Sequence, residues 1–278
     1  MEDSQNQNPQ PRHLLDYPWK SVLYSNKDDL SFELFNPALQ RSRIFKFAAG
    51  YFRASFLSEI GESLDDFVLR GGKMEIIASP DVGHEELAAI KKGEEMLAIR
   101  EMSSQSLSQD SFDGNSEEER DRFQLLTWML ANGHLTISFA VHDLGDELGL
   151  YHEKIGLFED EEGNQLVFAG SANATGAALN RNVENISVYK NWIQAHDEFL
   201  EPHRKRIEGI LETPCKEKGV RTFNVSELLE KGLDKKFGSR EPNHHKRIPN
   251  PWKSPITNPR PPKPPLPPKK IGLLPKMP

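Results

Sequence analysis

The stretch YHEKIGLFEDEEGNQLVFAGSAN, residues 151–173, holds a histidine, a lysine, a serine and an asparagine separated mostly by apolar residues. Lys154, Ser171 and Asn173 are hydrogen-bond donors, and His152 can attack or transfer a proton. Such a set suits a tetrahedral oxyanion such as a phosphodiester. Donors hold the non-bridging oxygens while the imidazole attacks phosphorus. No Asp, Glu or His cluster with metal-ligand spacing stands beside these residues, so metal-free chemistry without a cofactor is the expectation.

The elements that must position them read as a hairpin. Residues 151–158 are β-branched and aromatic enough for a strand, and 166–169 read as a second one. Gly163 and Asn164 supply the turn. A turn centred near Glu162 and Gly163 sets His152 opposite Asn173 and Lys154 opposite Ser171. His152 and Lys154 then share one face, because strand side chains alternate. A slip of one residue would separate the groups.

The order His152-x-Lys154, an acidic residue, then Gly170-Ser171-x-Asn173 resembles the HxK…D…GSxN signature of the phospholipase D superfamily. Asn182-Val183-Glu184 also fits that superfamily's N-x-E segment. HEKIGLFED, FAGSANAT, SPDVGHEELAAIKKG and LLTWMLANGHL look like the phospholipase-D-like nuclease module at the front of DEAD/DEAH-type helicases, many of them linked to restriction or phage defence. The similarity spans about residues 20–235. The signature's acid falls five after the lysine, which here is Glu159. Asp160, one further on, is the candidate for it. Glu184 is the candidate to orient an imidazole. Taken singly, each residue has a plainer reading: a half-buried histidine, a solvated lysine, a Gly-Ser turn, an acidic turn, a strand-end carboxylate. The ordered combination points to catalysis.

A chain of 278 residues can bury one sizeable domain. The single Cys215 rules out an internal disulfide and fits a reducing cytoplasm, the expected location. No apolar run is long enough to span a membrane, and the polar start MEDSQNQNPQPRH lacks the apolar core of a signal peptide. After residue 239, nine Lys/Arg face one acid, giving +8; with −7 overall, residues 1–239 carry −15. That is not the usual footprint of a nucleic-acid binder. Much of the acid lies in SQDSFDGNSEEERD and in the EDEEGN turn, which need not face a substrate. Arg181, Lys190 and the run His203–Arg206 are candidate backbone contacts, with a solvated helix face as the plainer reading of the run.

Thirteen of the twenty prolines follow residue 240. Such a segment favours polyproline II and cannot build a core. It reads as a linker, an SH3-type ligand or a basic arm. Three segments are expected: a disordered arm over 1–15, a phospholipase-D-like nuclease domain over 16–235, and a disordered, basic, proline-rich tail over 236–278.

The body alternates strands and helices. Strands are expected over 43–52, 73–79, 134–142 and 184–189. Helices are expected over 55–72, 84–99, 117–133 and near 194–212, the last broken at Pro202, with a mobile insert at 103–116. A short helix begins at ATGAAL. His142, at a strand end, is a possible second site histidine. This is an α/β order around one mixed β-sheet flanked by helices.

HxK and GSxN each occur once, so the domain is a single repeat. Phosphodiester cleavage needs a nucleophile and an acid for the leaving oxygen. A second subunit across a two-fold axis supplies that acid most simply, so a homodimer is expected. The sequence thus reads as a phosphodiesterase, most simply a DNA nuclease, with DNA and a helicase in cis or trans as partners. A non-catalytic DNA-binding module, a scaffold working through the tail, and a lipid phosphodiesterase remain open. The lipid reading wants an apolar surface near the motif, and the sequence shows none.

Overall fold

A computed structural model describes residues 13–79, 117–145, 147–212 and 214–243. The helix expected over 84–99, the insert over 103–116, most of the arm over 1–12 and the proline-rich tail from 244 onward lie outside the described residues.

The elements are β1 (Val22–Tyr24), α1 (Asn36–Leu39), β2 (Ile44–Tyr51), α2 (Ala54–Glu59), α3 (Leu64–Leu69), β3 (Lys73–Ser79), α4 (Glu117–Ala131), β4 (Leu135–Asp143), β5 (Leu148–Leu150), β6 (Ile155–Glu159), β7 (Gln165–Gly170), α5 (Gly176–Asn180), β8 (Asn185–Lys190), α6 (Asp197–Leu211), β9 (Val220–Asn224) and α7 (Ser226–Phe237). The strands form one mixed sheet in the order β1-β8-β7-β6-β2-β3-β4-β5, with β9 also paired to β4. β2, β3 and β4 run parallel, and β6 is antiparallel to β2. The expected mixed α/β sheet flanked by helices is therefore present.

Alternation along the strands builds two cores. Phe45 and Phe47 of β2 point to one face, where they meet Phe35, Phe56, Phe158 and Phe168. Phe45 and Phe158 stack with centroids 4.3 Å apart. Truncating one such buried ring costs about 3–5 kcal/mol. On the other face Ala48, Ile77, Ile155, Leu157 and Val167 pack against Leu200, Ile207 and Ile210 of α6. The strand that carries the motif is thus clamped on both sides.

Topology explains where the motif sits. β5 pairs with β4 through Val141 and Leu150. The chain then crosses to β6, whose Ile155 pairs with Ala48 of β2. Residues 151–154 therefore pass over the end of β3, at the C-terminal edge of the three parallel strands.

Several expectations need correction. The helix expected over 55–72 is two short helices, α2 and α3, split by a 3₁₀ turn at Gly61–Ser63. Pro202 does not break α6, which is continuous through it. The arm expected over 1–15 is folded at its end: Leu14 is fully buried, and the Trp19 indole N–H donates to its carbonyl at 2.6 Å. At the other end the fold continues past 235, because Arg240 pairs with Asp65 and Asp121. Among the described residues no helix is long and apolar enough to cross a membrane.

Candidate active site

The hairpin exists, but its register differs by one residue from the expectation. Glu159 pairs with Gln165, Leu157 with Val167 and Ile155 with Ala169. The turn is therefore centred on Glu162, and Lys154 lies opposite Gly170, whose N–H donates to the Lys154 carbonyl at 3.3 Å. Strand pairing does not bring the motif's side chains together. His152 and Lys154 stand in the irregular segment before β6, and Ser171 and Asn173 lie beyond the end of β7.

What gathers them is the end of β2. The Asn173 Oδ1 accepts the Tyr51 N–H at 3.1 Å, and the Ala174 N–H donates to the Tyr51 carbonyl at 3.1 Å. Phe52 and Ala174 form a parallel bridge. Asn173 is thereby stitched to β2 beside Gly50. The imidazole of His152 lies on the same glycine. A Cβ at Gly50 would sit 2.4 Å from His152 Cδ2, 2.8 Å from Asn173 Oδ1 and 2.9 Å from His152 Nε2. Real Cβ atoms do not approach that closely, so only glycine lets both side chains close over β2. The Tyr51 ring stands edge-on to the imidazole, 5.7 Å between centroids. Gly50 and Tyr51 are site residues that sequence reasoning missed. Their signal is a small residue at the end of an apolar strand, which by itself is common.

Lys154 reaches back to His152. Its Nζ is 3.1 Å from His152 Nδ1 and donates to the His152 carbonyl at 3.0 Å. Burial, and then the Lys154 ammonium, hold the imidazole below the usual histidine range. Burial also lowers the Lys154 amine, and the nearby Glu184 carboxylate partly offsets this. The imidazole is thus biased toward its neutral, nucleophilic form.

Ser171 and Glu184 form a second group. The Ser171 hydroxyl donates to Glu184 Oε2 at 2.5 Å and accepts the Asn185 N–H at 3.0 Å. Asn182 Nδ2 donates to Glu184 Oε1 at 3.0 Å. The Glu184 N–H in turn donates to Ser25 Oγ at 2.7 Å. Gly170 permits this crossing, because a Cβ there would lie 2.0 Å from the Asn185 carbonyl oxygen. Glu184 is buried and, among the described residues, its carboxylate bonds Ser171 and Asn182, not an imidazole of the same chain.

Asp160 is a correction. It lies at the far end of β6 from Lys154, six residues and roughly 20 Å away at about 3.3 Å per residue. Its carboxylate accepts the Leu14 N–H at 2.9 Å, the Asn164 side-chain amide at 2.9 Å, and the backbone N–H groups of Glu162 at 3.0 Å and Asn164 at 2.9 Å. It closes the turn and anchors the N-terminal segment. Glu159 bonds Gln165 and is also remote.

The expected backbone-contacting cations are mostly committed elsewhere. Lys190 is buried and donates to the Trp19 carbonyl at 3.1 Å. Arg204 pairs with Glu201 and Glu208, and Lys205 with Glu201. Arg206 bonds Glu153 and Glu217. Arg181 is exposed. His142 is exposed near the end of β4, paired to Gly149 and Val220. Among the described residues no three His, Cys, Asp or Glu side chains are grouped to hold a metal ion.

No family model matches the chain, and no curated protein matches it. The chain is similar to solved structures at low overlap. NucT from Helicobacter pylori is 14% identical over 68% of this chain and 94% of that one, with a TM-score of 0.39. Nuc from Salmonella typhimurium, a phospholipase D family member, is 18% identical over 67% and 92%, with a TM-score of 0.36. Phosphatidylserine synthase from Haemophilus influenzae is 14% identical over 77% and 44%, with a TM-score of 0.43.

Proposed function

We propose that the protein is a metal-independent phosphodiesterase that works through a phosphohistidine on His152. The observation that carries this is the closure of His152 and Asn173 over Gly50, with Lys154 on the other ring nitrogen. A nucleophile and two kinds of donor then border one open position at the C-terminal edge of β2.

The steps follow from the ring's two nitrogens. Lys154 donates to Nδ1, so in the neutral ring the proton sits on Nε2. A bound phosphodiester draws the Lys154 ammonium onto a non-bridging oxygen. The Nε2 proton passes to solvent water and Nδ1 takes one from it, so that the freed Nε2 lone pair attacks phosphorus. A P–N bond forms, the bond to the leaving oxygen breaks, and that oxygen keeps the electron pair. Asn173 Nδ2 and Lys154 hold the non-bridging oxygens as charge builds. Ser171 and Glu184 act behind them by fixing the segment that carries Asn173. Water then attacks phosphorus and gives a proton to the imidazole that protonated the leaving oxygen; the P–N bond breaks with its electron pair returning to Nε2, and the phosphoryl ester leaves with the water oxygen.

The leaving oxygen needs a proton, and this chain carries one HxK. His152 of the partner subunit supplies it in a homodimer. Val183 is 76% exposed and Tyr24 47% exposed, and both border Glu184 at the β1–β8 edge of the sheet. This apolar strip, which the sequence did not reveal, supports a subunit contact beside the site. The resemblance to helicase-linked nuclease modules supports DNA as the polymer, a helicase in cis or trans, and a role against foreign DNA. The same strip favours a lipid phosphodiester as the second reading.

The test is cleavage of single- and double-stranded DNA in EDTA, beside phospholipid vesicles, with His152→Ala as the control. DNA cleavage that survives chelation and vanishes in His152→Ala is expected. Activity lost in EDTA and restored by magnesium defeats the mechanism, and cleavage of vesicle lipid alone selects the second reading.

A further inference from the structure

The residue between the two cations of the motif is an acid. Glu153 fills the middle of His152-Glu153-Lys154. A carboxylate there repels a phosphodiester and competes with it for Lys154. Residues 151–153 stand outside the strands, so no backbone ladder sets which way the Glu153 side chain turns.

Other contacts set it. Tyr151 is buried in the core beneath α6. Its hydroxyl donates to Glu153 Oε2 at 3.0 Å. Arg206, from α6, grips the same carboxylate with its fork: Nε lies 3.1 Å from Oε1 and 3.0 Å from Oε2, and Nη2 lies 2.7 Å from Oε1. Its Nη1 bonds Glu217, which holds the guanidinium from behind. Tyr151, Arg206 and, through Arg206, Glu217 are thus the charged and titratable groups gathered at Glu153. Lys154 and the Tyr51 ring are those at His152. Burial and the Glu153 carboxylate push the Tyr151 phenol far above its ordinary range, so it remains a donor.

We infer that Arg206 is a positioning residue of the site: by holding Glu153 toward α6 it turns His152 and Lys154 toward Gly50 and Asn173, and it neutralises a carboxylate that would otherwise capture Lys154. The inference rests on His152 being the nucleophile. Among the described residues Arg206 bonds neither His152 nor Lys154, so its effect passes through Glu153. The planar fork matters, because a lysine cannot hold both carboxylate oxygens.

The experiment compares Arg206→Ala, Arg206→Lys, Glu153→Gln and the double variant Arg206→Ala with Glu153→Gln. Turnover is read on bis(p-nitrophenyl) phosphate, and the His152 titration midpoint is read by NMR without substrate. Arg206→Ala lowers kcat by about 10²-fold, the scale of a small misplacement at a reacting group, with KM changed much less. Its His152 midpoint moves up, because an uncompensated Glu153 carboxylate favours the imidazolium. Arg206→Lys falls between. Adding Glu153→Gln to Arg206→Ala returns the midpoint and costs little further kcat, because the two residues act as one unit. A merely structural ion pair lowers thermal stability and leaves the midpoint where it was, which overturns the inference. If Arg206→Ala does not fold, Glu153→Gln decides: kcat reduced at least tenfold supports the inference, and wild-type kcat overturns it. Wild-type turnover in His152→Ala defeats the nucleophile reading by itself, whereas the substrate-free midpoint judges Arg206 alone.

Discussion

The two ends of the β6–β7 hairpin carry similar numbers of polar side chains and use them in opposite ways. At the closed end, Asp160 is buried and accepts four hydrogen bonds, two of them from backbone N–H groups of its own turn. Its hydrogen-bonding capacity is used up. At the open end, His152 is exposed, and among the described residues the Lys154 ammonium bonds only groups of His152. Asn173 commits its oxygen to Tyr51, and among the described residues its Nδ2 has no partner. A saturated polar group stabilises a turn, and donors with bonding capacity left beside an exposed imidazole can receive a substrate. Position within the motif does not distinguish the two ends; hydrogen-bond accounting does.

Substitutions at each end should separate the two roles. His152→Ala has the largest expected effect: loss of turnover on the order of 10³-fold or more, with Lys154→Ala added to it little worse, because removing one member of a catalytic unit costs nearly as much as removing several. Melting temperature should barely move, as the side chain is exposed. Initial rates beside calorimetry read both. A variant that loses stability and keeps turnover would place His152 with Asp160.

Gly50→Ala comes next. The new methyl meets His152 and Asn173 at distances no side chain tolerates, so one of them must shift. A displacement of that size should lower kcat by about 10²-fold. Wild-type kcat in a folded Gly50→Ala protein would mean that closure over Gly50 is not the reactive geometry.

Asp160→Ala should do the reverse. Removing the carboxylate strands several buried donors, at about 1–3 kcal/mol for the first group left unpaired. Thermal unfolding should fall by several degrees, while kcat below the transition stays at the wild-type value. Loss of kcat without loss of stability would return Asp160 to the site.

The smallest effect is in pH. Attack requires a neutral ring, so the rate rises with pH through the His152 midpoint. Burial and Lys154 lower that midpoint from the ordinary histidine value, so the acidic limb should lie below it. Replacing Lys154 by Met should move the limb up. In a two-fold site the partner imidazole must be protonated, so the full profile is bell-shaped and reports the pair. A limb that stays in place when Lys154 is replaced by Met would show that Lys154 does not face the ring in solution.

Much of this was legible in the sequence where a residue type forces a local structure. The mixed sheet, the hairpin, β3 and α4 follow from apolar periodicity and from Gly133 and Gly163, both in positive-φ conformation. The hairpin register was not legible. Asp160 bonds amides inside the turn, which gives a five-residue loop between Glu159 and Gln165 in place of the even one expected. The site survives that slip because its side chains stand outside the ladder and are tied to β2, a long-range contact that spacing cannot show. β1 and β5, each three residues long, and the five-residue β9 carry no period to read. Lys190 and Arg206 have the residue types of substrate contacts, yet one is buried on Trp19 and the other faces Glu153. Only their partners tell them apart from free cations.

The central claim is a covalent bond between phosphorus and His152. The most direct test is to quench the protein in alkali during turnover of a slow phosphodiester, digest it, and locate by mass spectrometry the phosphoryl ester that stays on the histidine after one ester oxygen has left, because phosphohistidine withstands base better than acid. A phosphoryl ester on His152, carrying the retained half of the substrate and absent from His152→Ala, is the predicted result. Full turnover with no phosphoryl ester on His152, and His152→Ala cleaving at the wild-type rate, would contradict it.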